Sequence, residues 1–104
     1  MDERRMELIA HFTEKCAMAI QEAQRVADMN ISLSNELQVR EVEFKFIKRD
    51  GTIRCAHGTM KSDIIPEIKG TGRPLNFGLQ LYYDLDKQSF RSFKKENLIS
   101  YENI

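Results

Sequence analysis

"VEFKFIKRDGTIR", residues 42–54, alternates between side-chain classes, turns, and starts back. Val42, Phe44 and Phe46 share one parity and Glu43, Lys45 and Ile47 the other, which is the two-residue period of a strand. Asp50-Gly51 follows at once, and glycine tolerates the positive φ that a tight hairpin demands. A returning strand is expected over 52–59, with Ile53, Cys55 and His57 on one face.

Downstream, Pro66, Gly70, Gly72 and Pro74 exclude a long central strand between 60 and 76. One helical turn is expected over 62–65, and KGTGRP (69–74) reads as an exposed loop. Strand character resumes over 77–85, where Leu79, Leu81 and Tyr83 alternate with Gln80, Tyr82 and Asp84. Asp86-Lys87 marks a second tight connection, 89–94 returns, 95–98 makes a single turn and 99–102 a last short strand. Five short strands, a wide loop after the second and one turn before the last describe an SH3-like (Sm-like) antiparallel β-barrel.

Upstream the period changes. Leu8, Ile9, Phe12, Cys16, Ala19, Ile20, Ala23, Val26 and Ala27 recur at steps of three and four, one face of an amphipathic helix. No Gly or Pro interrupts residues 2–29, so one N-terminal helix of about seven turns is predicted over 1–30. The polar NISLSNE segment predicts a linker over 31–38, leaving the barrel 39–104. The fold class is α+β: an N-terminal amphipathic helix followed by a five-stranded SH3-like barrel, one domain in all.

Composition narrows the function. In 104 residues, 41% hydrophobic and 31% charged, the formal net charge is zero, so no overall field draws the chain toward nucleic acid or membrane. The apolar runs are far too short to span a membrane, and the charged start MDERRMEL is unlike a secretory leader. Two cysteines make no disulfide framework, and a cytoplasmic location is expected.

Three pieces carry a resemblance: residues 42–54, GLQLYYDLDKQSFRSF (78–93) and ENLIS (96–100). They resemble a family of bacterial and phage proteins described as Sm-like SH3 β-barrels and grouped near the WYL domain. Phe46, Lys48, Asp50, Gly51 and Arg54 match that family's first hairpin. Asp84, Lys87, Arg91, Ser92 and Phe93 match its second, with Phe90 where a Trp is usual. The resemblance spans about 40–100 and implies the barrel, not an activity; by analogy with WYL-type domains, it also implies a ligand-contacting role for Arg91.

The second hairpin raises the main functional question. From Lys87 to Lys95 there are four basic residues and no acid, interleaved with Phe90 and Phe93. Small barrels grip nucleic acid with such sets, cations on phosphates and rings on bases. Yet the rings are three apart, so an unbroken strand points them to opposite faces, and the first reading is a solvated hairpin with one ring in the core. From residue 31 onward, twelve basic and ten acidic residues give a net charge of only +2. Arg91 has a structural alternative, pairing with Asp84 or Asp86 across the hairpin.

Metal and catalytic chemistry are weakly signalled. Cys55 and His57 share a strand face, but no third catalytic group or oxyanion donor accompanies them. His11 and Cys16 lie five apart, off the helical step of four, and the four residues match no zinc spacing. The sequence therefore predicts a non-enzymatic binding module with no cofactor and no metal. Nucleic acid would be held by Lys48, Arg49, Arg54, Lys87, Arg91, Lys94 and Lys95. The apolar stripe of the helix is expected first to pack on its own barrel; alternatively, a protein partner or a homodimer would use its Leu8, Ile9, Phe12, Cys16 and Ile20. A small molecule sensed in a barrel pocket is the third reading, and a membrane partner is not expected.

Overall fold

The computed structural model of the chain describes residues 3–66 and 77–102. Two α-helices come first, α1 (Glu3–Lys15) and α2 (Ile20–Val39). Strands β1 (Val42–Ile47), β2 (Ile53–Thr59), β3 (Leu79–Asp84) and β4 (Ser89–Lys94) follow, then a 3-10 turn (Lys95–Asn97) and β5 (Leu98–Tyr101).

The single long helix expected over 1–30 is thus broken, and the linker expected over 31–38 is helical. Glu3 in the first turn and Lys15 in the last suit the dipole of α1. The break comes at Ala17, whose φ of +54° is left-handed, and the Met18 N–H donates back to the Phe12 carbonyl at 3.0 Å. No Gly or Pro announces this turn. The reversal lays the apolar stripe against itself: Leu8 and Phe12 of α1 are buried on Ala23, Val26 and Ala27 of α2. Arg5 Nε meets Asp28 Oδ1 at 2.6 Å on the outside of this hairpin.

Helix α2 runs on because Leu33 and Leu37 extend its apolar stripe beyond Ala27. Both are fully buried against Val42, Phe44, Phe46, Ala56, Tyr82, Phe93 and Leu98. Burying each such leucine contributes about 1.5–3 kcal/mol, enough to override the polar residues between them. Asn30, read as part of a polar exit, is buried; its Nδ2 donates to the Val26 and Lys95 carbonyls, each at 2.9 Å. The end of α2 is fastened to the sheet by Thr59, whose Oγ1 donates toward the Leu37 and Arg40 carbonyls.

The strands form one antiparallel sheet in the order β4-β3-β2-β1-β5. Hairpin β1–β2 is in the register the alternation implies, Val42 opposite Gly58 through Ile47 opposite Ile53. Gly51 has φ +88°, and Asp50 Oδ1 accepts the Thr52 N–H at 3.0 Å. Val42, Phe44 and Phe46 are buried; Ile53 and Cys55 face outward. The ladder between β2 and β3 is short, Gly58 opposite Asp84 and Thr59 opposite Tyr83. A Cβ at Gly58 would lie 2.6 Å from Tyr82 Cδ2, so glycine permits this approach.

In β3 the buried residues are Tyr82 and Asp84, while Leu79, Leu81 and Tyr83 are half-buried. On β4, Phe93 enters the core and Phe90 lies on the other face against Tyr83, centroids 5.1 Å apart, as a spacing of three requires. Strands β4 and β5 do not pair, so the sheet stays open where a closed barrel was expected. The 3-10 turn carries the chain away from β4, and β5 starts alongside β1 with Leu98 opposite Phe46. The turn expected over 62–65 is present, the Ile64 and Ile65 N–H groups donating to the Lys61 carbonyl. The KGTGRP segment lies outside the described residues.

Candidate nucleic-acid interface

The open seam of the sheet forms a cleft of about 360 Å³. The buried aromatics Phe46, Tyr82 and Phe93 and Asn97 of the 3-10 turn are among the residues that line it. Five of the seven basic residues singled out in the sequence line it: Lys48, Arg49, Arg54, Arg91 and Lys94.

Register explains the convergence. Arg54 stands opposite Phe46 and Arg91 opposite Tyr82, so both arginines share the inward face with core aromatics and project at its rim. Lys48 and Arg49 continue β1 into its turn.

The remaining two lie elsewhere. Lys87 sits in the β3–β4 turn, its N–H donating to Asp84 Oδ1 at 3.0 Å. Lys95 faces the helices, its Nζ 4.8 Å above the Phe77 ring. Burial, with some help from Arg4, pushes the Lys95 ammonium below its ordinary pKa.

Asp84 organises the site, and the alternation read in the sequence did not mark it. Its carboxylate has no exposed surface. Oδ1 accepts the Asp86 and Lys87 N–H groups at 3.0 Å each, and Oδ2 lies 2.5 Å from Arg54 Nη2 and 3.9 Å from Arg91 Nε. Burial pushes the Asp84 carboxyl up, but the Lys87 N–H, the Arg54 guanidinium and the Asp86 N–H outweigh it and hold it below the usual range. Burial also works against the Arg54 charge, and the Asp84 and Tyr82 oxygens overcome it to raise its pKa. The pairing of Arg91 with Asp84 is present at the longer distance; Arg54 is the tighter partner. Among the described residues Lys48, Arg49 and Lys94 make no ion pair within 4 Å, although Lys48 is near enough to Asp50 to help hold that carboxyl below its usual range.

The rings follow the first reading of the hairpin, Phe93 in the core and Phe90 on the other face of β4, and not the base-stacking one. Phe46 and Phe93 stack on each other, centroids 4.9 Å apart and both buried, and Phe90 lies on the opposite face of β4. None is free to receive a base from the cleft.

The other candidates separate. Cys55 is exposed on the outer face of β2, and His57 Nε2 is turned to Glu41 Oε1 at 3.1 Å. Of the apolar helix residues, Leu8 and Phe12 are buried within the chain, Ile9 and Cys16 pack beside them, and Ile20 is 55% exposed. The stripe, expected to pack on its own barrel or else to meet a second copy, is covered by α2, because the break at Ala17 folded it onto itself. No described helix is long and apolar enough to cross a membrane.

Five antiparallel strands with a 3-10 turn before the last, led in by a helix, are consistent with a small Sm-like binding module whose sheet is here left open. The chain belongs to the WYL_2 family, an Sm-like SH3 beta-barrel fold, which matches residues 30–99. The match starts ten residues earlier than the resemblance read in the sequence, taking in the half of α2 that carries Leu33 and Leu37 into the barrel core. No curated protein and no solved structure matches the chain.

Proposed function

We propose that this binding module takes single-stranded nucleic acid by its phosphates, without catalysis, in the cleft between β1 and β4. The observation that carries the reading is the convergence of Lys48, Arg49, Arg54, Arg91 and Lys94 on one concavity. Asp84 holds Arg54, and more loosely Arg91, in place before any ligand arrives, which reduces the ordering cost of binding. With the neighbouring aromatics buried, recognition is electrostatic and tolerant of sequence.

Fluorescence polarisation of labelled single-stranded RNA and DNA tests this. Three to five phosphate contacts give a salt slope of about −2 to −3.5, or roughly 20- to 130-fold weaker binding between about 50 and 200 mM salt. No saturable binding at the lower salt would end the proposal.

A second reading uses the same cleft. Its volume of about 360 Å³ falls within the range of small-molecule sites, which suits a small anion such as a nucleotide. Free nucleotide that displaces the oligonucleotide at micromolar concentration favours this reading. Self-association through Leu8 and Phe12 would require α1 to leave α2.

A further inference from the structure

Three side chains from separate segments converge at the base of the helical hairpin. His11 lies on α1, Cys16 in the bend after it, and Glu96 in the 3-10 turn. One donor atom from each lies within 4.8 Å of the other two. On a continuous helix His11 and Cys16 would stand about 140° apart around the axis and share nothing. Because α1 ends at Lys15 and Ala17 is left-handed, the chain leaves the helix path there, and both side chains come to one place.

We propose that His11, Cys16 and Glu96 bind one divalent transition-metal ion, zinc being the best match. The donor set is one imidazole nitrogen, one thiolate sulfur and one carboxylate oxygen, which suits zinc and disfavours calcium and magnesium. Three protein ligands leave a fourth position for water. Tetrahedral zinc with bonds of about 2.0–2.3 Å places its ligands about 3.5 Å apart. The three donors must therefore close by about 1 Å, a distance that rotation of the Cys16 and Glu96 side chains supplies.

Two features shape the site. The His11 ring packs edge-on to both Phe12 and Phe77, with centroids 5.7 Å away in each case, which limits its rotation. The Glu96 carboxylate stands beside the Cys16 thiol; burial and that carboxylate push the thiol up, Lys94 offsetting them only in part, so the ion must displace the thiol proton. On binding, the S–H bond is replaced by a sulfur–metal bond and the proton leaves to solvent. The ion then ties the α1–α2 bend to the 3-10 turn, joining the helical hairpin to the strands.

Cobalt(II) titrated into the reduced full chain tests the site, since thiolate-to-cobalt charge transfer reports a sulfur ligand directly. The expected result is one cobalt per chain with that absorbance, displaced by one equivalent of zinc. Cys16→Ser abolishes the band, His11→Gln and Glu96→Gln each weaken binding at least about tenfold, and Cys55→Ser changes nothing. Zinc also raises the melting temperature of the native chain but not that of Cys16→Ser. Glu96→Gln, which keeps size and shape, serves if Cys16→Ser folds poorly. A native chain with no band and no retained ion overturns the proposal, as does a band that survives Cys16→Ser and disappears with Cys55→Ser.

Discussion

Asp84, with no exposed surface, holds the Arg54 guanidinium at 2.5 Å across two strands that pair over only two residues. That contact, with Gly58 opposite Asp84, stands where the β2–β3 ladder is thinnest. Asp84→Asn keeps an acceptor for the turn but leaves the Arg54 charge without its partner, and should cost about 2–3 kcal/mol at pH 7 in urea unfolding. The sign with pH follows from the depressed folded pKa. The contribution is fully present above the unfolded value of about 3.9 and is lost as pH falls through the folded one. Native and Asp84→Asn stabilities should therefore converge in acid; a constant gap down to about pH 2 would contradict the assignment.

Gly58→Ala places a methyl group 2.6 Å from Tyr82 Cδ2 and 3.1 Å from the Tyr83 carbonyl oxygen. The backbone oxygen has nowhere to go. Overpacking of this kind costs about 1–3 kcal/mol, so the melting temperature should drop by several degrees, and an unchanged value would mean that β2 and β3 are not this close.

Ala17 is strained where it stands, with φ at +54°. Glycine adopts that conformation without penalty, so Ala17→Gly should raise stability by about 0.5–1 kcal/mol even though it removes a methyl group. Destabilisation by the same amount would place the helix break elsewhere.

Asn30→Ala removes two buried hydrogen bonds, to Val26 and Lys95. A loss of about 1–2 kcal/mol is expected, and hydrogen exchange should quicken around Lys95–Asn97 more than in the β1–β2 hairpin. Equal quickening everywhere would argue against a local clamp.

Within the cleft, Arg49→Glu with Lys94→Glu should lower oligonucleotide affinity at least about tenfold at about 50 mM salt and flatten the salt dependence. Lys87→Ala, outside the cleft, should leave affinity within about twofold of native. If Lys87→Ala weakens binding as much as the pair, the contact surface is the hairpin tip.

The strands were legible because alternation and Asp50-Gly51 are local signals, and β1 and β2 fall where the pattern puts them. The helix break was not legible. It depends on an alanine in a conformation that composition does not reveal, stabilised by Leu8 and Phe12 meeting α2. The helical course of residues 31–38 was missed for a related reason: Leu33 and Leu37 are held by the barrel, and the polar residues between them suggest a linker when read alone. Burial of Asp84 was hidden by the convention that carboxylates face water, which fails here because two N–H groups and an arginine meet it inside. The basic residues were identifiable one at a time, but only cross-strand register shows that five of them meet and that Lys87 and Lys95 do not.

The 3-10 turn belongs to two neighbourhoods. Asn30 grips the Lys95 carbonyl from the helical side, while Lys94 just before the turn and Asn97 at its end line the cleft. The mouth of the cleft thus inherits part of its outline from a helix that contributes no residue to its lining. A chain pared down to its strands would lose the prop under that wall along with Leu33 and Leu37, so the smallest unit with an intact mouth begins near Asn30, where the family match also begins.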